Sequence, residues 1–571
     1  MRRLFAFVDA QGETLEDYSY AHFAARVDSL AAVLARTDGL SAGERVILAY
    51  QPGLELVAAL FACSKVGLIP IPTPPLGAFD FVAWVGRLDH IVKDSGAAAW
   101  LVCRRTSELF AGSAQRCTDP VPREAANRIE ALPVIETTSI EIEPQAMAPE
   151  RSHPIALLQY TSGSTSNPKG VCVSHQNLIA NCRAAVQRQG EVAVTWLPQH
   201  HDMGLIGYYI YAVLSGSTTW GLSPRSFMQN PSIWLELLTR HKATATSVPN
   251  FALELCLNER RVPLAKLNDY DLSTLRTLMV AAEPVCQETF EAFRQKFTRC
   301  GLKDEAFFVA YGLAEFTLAV SSHGRRAVSV DRRRLAQGEA SLVTETTGVS
   351  HALPLMSCGR ALGDTDIRIV NPETGIEVPT GGTGEIWCAG AGRAMGYWQK
   401  PEANQETFEA RLVDMPDMQE PFLRTGDIGF VHDGEVFVCG RLKDMIIIRG
   451  QNIYPEDIEA LALQVYPELR GNGVVAFSSG DGAEMDITLV AEVARGNGMP
   501  DEIEIVRAIR EGLQVPVARV VFVAPRSVAR TSSGKVRRAR TRELLEAGQL
   551  PTLVDTRHSM AAVRADGKSD V

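Results

Sequence analysis

The sequence has no paired-cysteine motif. Its eleven cysteines are scattered over 571 residues, with no CxxC pair and no Cys/His cluster at zinc-ligating spacing. That excludes a disulfide framework and a zinc module, and points to reduced, mostly buried thiols in a cytoplasmic protein. A hydrophobic run able to span a bilayer is also missing. The longest uncharged stretch, Met203 to Pro224, is interrupted by Ser215-Gly216-Ser217-Thr218-Thr219 and reads as a buried element, so no stable membrane insertion is expected. The opening MRRLFAFVD loses its apolar character at Asp9, too early for a signal peptide. Positive charge is not in excess: the net charge is −10, which argues against nucleic acid as a partner. There is no internal repeat and no low-complexity tract.

What is present is core-forming material. Hydrophobic residues make up 46% of the chain and charged residues 22%, enough for several domains with sizeable cores. Helical and strand-like segments alternate. Phe23, Val27, Leu30 and Leu34 share a helical face, Arg45 to Tyr50 reads as a strand, and Leu54 to Val66 is helical again. This rhythm predicts an α/β fold with layered, largely parallel sheets and helices. Residues 110–154, rich in Pro, Glu, Ala and Thr, are expected to be a loop-rich connection. Near residue 444 the pattern changes. Pro455 opens a helix with Glu456 and Asp457 in its first turn. Strands near 474–478, 486–493 and 517–524 and a helix near 501–513 then predict a small α+β domain. The tail after about 552 is polar and is expected to be mobile.

One loop carries chemistry. Residues 160 to 171 read YTSGSTSNPKGV, six small residues followed by Asn167, Pro168, Lys169 and Gly170. Backbone N–H groups and hydroxyls in such a run can wrap a phosphate chain, with Lys169 adding positive charge. It is not a Walker A loop, because the lysine precedes its glycine and Val171 follows where Ser or Thr is required. Apolar flanks, Ile155 to Tyr160 and Val171 to Val173, predict two strands joined by a tight loop.

Further stretches follow in order: WLPQHHDMGLIG from 196, YGLAEFTLAV from 311, RTGDIGF from 424, GRLKDMIIIRGQNIYPEDIE from 440 and RTSSGKVRR from 530. Together with the opening loop they resemble the adenylate-forming enzymes, over about Tyr20 to Arg542. The resemblance implies a large multi-subdomain N-terminal AMP-binding domain, residues 1–443, and a small mobile α+β C-terminal domain, residues 444–571, hinged at Asp444. It implies ATP and Mg²⁺ as cofactors. Thr161, Ser162, Gly163, Ser164 and Thr165 with Lys169 would cradle the β- and γ-phosphates, and Glu315 would hold Mg²⁺. Tyr311 and Gly312 would lie against adenine, with Ala282, Glu283 and Pro284 on its other side. Asp427 would accept hydrogen bonds from the ribose, supported by Arg441. Lys535 would bridge the acyl carboxylate and the α-phosphate, offsetting charge as they meet. His201 would gate or position substrate; adjacent His200 and His201 do not share a helix face and have no third ligand, so they are no metal site.

Two signs place the resemblance in the fatty acyl-AMP ligase branch. WLPQHHDMGLIG lacks the FDxS-type aspartate that would pair with an amino acid's amine. The segment at about 320–357 corresponds to the insertion typical of that branch, whose members pass the acyl group to the phosphopantetheine of an acyl carrier protein in lipid or polyketide-type biosynthesis. An acyl-CoA ligase and an inactive scaffold are the alternatives. This chain departs from the branch where Tyr208 and Tyr209 follow GLIG, and VAAEP stands where NGAEP is common. Two phenols in the acyl tunnel would shorten or bend it, favouring a short or functionalised acid. Arg325, Arg326, Arg332 to Arg334 and the arginines after Lys535 could meet an acidic carrier protein.

Overall fold

Strands buried on both faces need nearly continuous apolar sequence, and the chain supplies it repeatedly. Arg45–Ala49 (RVILA) and Ile155–Tyr160 (IALLQY) are almost wholly buried. The computed structural model describes residues 2–77, 81–143, 149–161, 168–185, 189–343, 352–418, 420–448, 451–469, 473–479, 486–494, 498–513, 515, 517–531 and 535–557.

The largest sheet has nine strands. Five neighbouring pairings among Arg3–Val8, Thr218–Leu222, Val192–Thr195, Ala245–Val248, Thr277–Val280 and Phe307–Gly312 are parallel. Antiparallel strands close its edges. Beside it lies an all-parallel sheet of Ile69–Pro72, Arg45–Ala49, Ala99–Val102 and Val134–Glu136. The expected hairpin forms, with Ile155–Tyr160 antiparallel to Gly170–Ser174. A third sheet, Asp366–Val370 to Glu435–Arg441, is antiparallel throughout, so the expectation of largely parallel sheets holds for the first two layers only.

The C-terminal part has its own core, formed only by residues between Ile446 and Phe522 among its buried members. Strands Val474–Ser479, Asp486–Glu492 and Val517–Val523 and helices Pro455–Val465 and Glu502–Leu513 build it, close to the positions read from the sequence. In the segment at about 320–357, Ala327–Asp331 pairs with Ala352–Met356 around a short helix, Arg332–Leu335.

Two expectations need correction. Residues 110–154 are not mainly loop: helices Arg104–Arg116 and Pro120–Glu130 occupy much of them. Asp119 caps the second by accepting from the Val121 N–H, proline sits in its first turn, and Ala125, Ala126 and Ile129 form a buried stripe. Proline-rich composition hid a helix start. The tail does not become irregular at 552 either, since Thr552–Arg557 pairs antiparallel with Val517–Val523. Residues beyond 557 lie outside the described residues.

One buried ion pair ties the first helices together. Arg26, on Tyr20–Arg36, is 5% exposed. Its Nε and Nη2 donate to Glu55 at 3.2 and 2.5 Å, and Nη2 also reaches the Thr137 carbonyl at 2.9 Å. Removing one partner strands the other charge away from water. Arg26→Met is expected to lower unfolding stability by about 3–5 kcal/mol in urea titration. A loss below about 1 kcal/mol would mean the pair contributes no more than a surface bridge.

Candidate active site

The carboxyl ends of the parallel strands open into one continuous cavity of about 950 Å³. Such ends are where open α/β sheets bind ligands, because the connecting loops diverge there. Thr161 and Lys169 from the hairpin, His201 and Asp202, Ala282 to Pro284, Tyr311, Gly312, Glu315, Asp427, Arg441, Asp444 and Lys535 all line it. Ser162, Gly163, Ser164 and Thr165 lie outside the described residues.

Asp427 is held from two sides and is 4% exposed. The Tyr311 hydroxyl donates to its Oδ2 at 2.7 Å, and Arg441 Nε pairs with its Oδ1 at 3.0 Å. Burial, and then the Asp427 charge, push the Tyr311 phenol far up, so it stays a donor. Gly312 is needed for space: a Cβ there would come within 1.9 Å of the Leu318 carbonyl oxygen. Glu315 accepts from the Tyr397 hydroxyl at 3.0 Å, and the Lys169 amine lies 4.6 Å from the centre of the Tyr397 ring. Tyr397 thus joins the glutamate to the hairpin lysine. It carries no sequence motif of its own, and sequence reading missed it.

His201 Nδ1 lies 2.6 Å from Asp202 Oδ1, which also accepts from the Met203 N–H at 2.7 Å. Burial favours the neutral carboxyl, but His201, Lys535 and that N–H outweigh it, and Asp202 titrates below the usual range. Burial, with His201 and Arg87 nearby, drives His200 down to about 3, so it is neutral. Arg87 is a second residue without a motif. It lines the cavity, its pKa falls to about 10 through burial and the neighbouring Arg537, and its Nε has no partner among the described residues.

Lys535 comes from the far end of the chain. Thr531 N–H bonds to the Lys535 carbonyl at 2.7 Å, and the Lys535 N–H to Thr531 Oγ1 at 3.0 Å, which fixes Lys535 against Thr531. Burial lowers the amine's pKa most. Asp202, Glu283 and Asp427 act against that and Arg441 acts with it, and the net shift is downward. Three residues on, Arg538 pairs with Asp444 at 3.4 Å, Glu456 at 2.9 Å and Glu459 at 2.9 Å. Asp444 therefore grips the same segment that carries the lysine.

Among the described residues, strained backbone borders the cavity at Ala282 and His323. Ala282 has φ +78°, a left-handed conformation that costs an L-residue roughly 1–2 kcal/mol. It turns the chain so that Glu283 Oε1 accepts the Phe251 N–H at 2.7 Å. Tyr208 and Tyr209 separate. The helix widens over Leu205–Ile210 into a π-type turn, which re-aims side chains. Tyr208 lines the cavity, but Tyr209 does not: it packs against Phe5 at 5.4 Å, with its hydroxyl directly over Gly221. Period counting from the sequence could not see the extra residue in that turn.

A cavity lined by a paired aspartate, a phenol, the hairpin lysine and a second lysine from the far end of the chain suits an adenylating enzyme. The chain belongs to the AMP-binding enzyme family, which matches it over residues 3–398. Within that family it falls in the fatty acyl-AMP ligase branch. It is 34% identical over 556 residues to the medium-chain-fatty-acid–acyl-carrier-protein ligase JamA of Moorena producens, covering 95% of this chain and 92% of JamA. It is 35% identical over 527 residues to a 4-hydroxyphenylalkanoate adenylyltransferase of Mycobacterium tuberculosis, covering 87% of this chain and 82% of that enzyme. The L. pneumophila fatty acyl-adenylate ligase, solved with acyl adenylate and pyrophosphate, superposes with a TM-score of 0.71 at 32% identity, covering 97% of this chain and 95% of that one.

Glu283 makes the site pH-sensitive. Burial pushes its carboxyl from 4.5 up to about 7, ahead of the opposing Phe251 N–H and Lys535. The folded state then binds the proton more tightly than the unfolded chain. Stability from this group is full below 4.5 and is lost as pH rises through about 7. Glu283→Gln keeps an acceptor for Phe251 and removes the loss. Its melting temperature is expected to exceed the parent's by a margin that grows from about pH 5 to about pH 8. A constant margin would show that Glu283 does not titrate in this window.

Proposed function

We propose that the protein joins a carboxylic acid to ATP as acyl-AMP and then passes the acyl group to the phosphopantetheine thiol of an acyl carrier protein. One observation carries the reading above the others: Lys535 reaches the cavity that holds Asp202, Glu283 and Asp427. In the first step a substrate carboxylate oxygen bonds to the α-phosphorus and the bond to the bridging oxygen breaks, releasing pyrophosphate. Both partners are anionic, so positive charge preplaced at their meeting point lowers the barrier. Lys535 supplies it. Asp427, oriented by Tyr311 and Arg441, receives the ribose hydroxyls. Tyr311 and Gly312 on one side and Ala282 to Pro284 on the other bracket the base. Lys169, with the residues from Thr161 to Thr165, faces the outer phosphates.

Glu315 is the residue that would hold Mg²⁺. Among the described residues no three metal-ligating side chains cluster, and a hard cation bound by one carboxylate and several phosphate oxygens suits that scarcity. Mg²⁺ would neutralise phosphate charge as ATP binds. In the second step the thiol sulfur attacks the acyl carbonyl and AMP leaves. For this we place the boundary at 443/444, with Asp444 as the hinge that carries Lys535 away and His201 as the residue the incoming arm passes. The carrier as acceptor is supported by the branch and by JamA's activity. No helix among the described residues is long and apolar enough to cross a membrane.

Lys535→Ala is expected to slow acid-dependent pyrophosphate release by about 10²–10³-fold with an unchanged far-ultraviolet circular dichroism spectrum. Retention of most of the rate would overturn the reading. In the parent protein, transfer to a phosphopantetheinylated carrier should exceed transfer to coenzyme A; CoA-dependent AMP release without a carrier would select an acyl-CoA ligase instead.

A further inference from the structure

The cavity does not end at the charged groups. It continues along the parallel strands to an end bounded by Glu191, Tyr208, Tyr211, Ser217, Thr246 and Ser247. Ala281 to Glu283 follow the carboxyl end of Thr277–Val280, whereas Glu191 and Ser217 directly precede the amino ends of Val192–Thr195 and Thr218–Leu222. Those two strands run parallel with Thr218 opposite Val192, so Glu191 and Ser217 sit at one level. Ala193, Ala245 and Thr277 share one level, so Glu191 lies six strand positions below Ala281, roughly 20 Å. Between them Met203, Gly207, Met279 and Ala310 line an unchargeable shaft.

The far end is built from polar groups. Glu191 is 7% exposed, and the Tyr211 hydroxyl donates to its Oε2 at 3.2 Å. The Tyr208 hydroxyl and Ser247 Oγ are 2.5 Å apart, and Ser217 Oγ accepts the Glu191 N–H at 3.1 Å. Ser217, Thr246 and Ser247 are at most 3% exposed. A saturated alkyl end placed among these groups would offer them no hydrogen bond. A terminal hydroxyl both donates to a carboxylate and accepts from a phenol or serine.

We infer that this cavity selects an acyl chain with an apolar shaft and a terminal hydroxyl, held by Glu191, Tyr208, Tyr211 and Ser247. The inference rests on the acid-activating function proposed above. Sites built to hydrogen-bond a substrate hydroxyl reject the analogue without it far more strongly than apolar pockets reject a spare methylene.

The test measures pyrophosphate release with octanoic, dodecanoic and hexadecanoic acids, each beside its terminal hydroxy derivative and beside an acid of similar length ending in a phenol. The hydroxylated acid of the best length should have a kcat/KM at least about tenfold above its plain partner, and the phenol arm separates alcohol from phenol. In Tyr208→Phe and Glu191→Gln the ratio of hydroxylated to plain kcat/KM should fall toward one. A parent ratio at or below one at every length overturns the inference while leaving the ligase function intact. Failure of every acid to release pyrophosphate overturns the ligase function and the inference with it.

Discussion

A lysine amine lowered into a cavity among Asp202, Glu283 and Asp427 sets the terms for the rest of the molecule. An ammonium taken out of water is costly unless opposite charge accompanies it. Here carboxylates provide that charge before substrate arrives, and the anionic reactants would take it over. The lysine's place depends on its neighbour Arg538, which three carboxylates hold. Because one of the three is Asp444, any rotation at that residue disturbs the grip on the segment bearing the lysine.

The sheet gives the cavity its two characters. Glu315 follows the parallel strand Phe307–Gly312, and Asp427 from the antiparallel strand Leu423–His432 and the hairpin lysine line the same cavity. At the amino ends, parallel strands of the nine-stranded sheet begin beside Glu191 and Ser217. A site mounted on rigid strands keeps these groups at fixed separation. Distance along the strands then acts as a measure of chain length, and chemistry at the bottom as a measure of what the chain ends in. The strain at Ala282 belongs to this frame: the left-handed turn sets Glu283 against Phe251 at the cavity rim. Such strain persists only where surrounding packing over-determines the backbone.

Much of this was readable from local patterns. The alternation of helices and strands, the hairpin around YTSGSTSNPKGV, the helix opened by Pro455 and the small C-terminal domain's strands all rest on spacing within a few residues. The helix Pro120–Glu130 was hidden because its proline-rich start resembles a linker until the Asp119 cap is seen. Thr552–Arg557 was misread because its sequence is polar; the backbone of Val517–Val523 recruits it. Tyr209 was misplaced for another reason, a widened turn that ordinary helical periodicity cannot encode.

By itself the sequence determined which side chains could do chemistry, because motif residues sit close together along the chain and their local geometry is short-range. Only the tertiary structure decided which of them meet. Tyr397 with Glu315, Arg87 beside His200, and Glu191 with Tyr211 are contacts over long separations, created when sheets and helices close over a common cavity. Tertiary packing also decided that Tyr208 lines the cavity while Tyr209 fills the core, since burial depends on what the far parts of the chain leave uncovered.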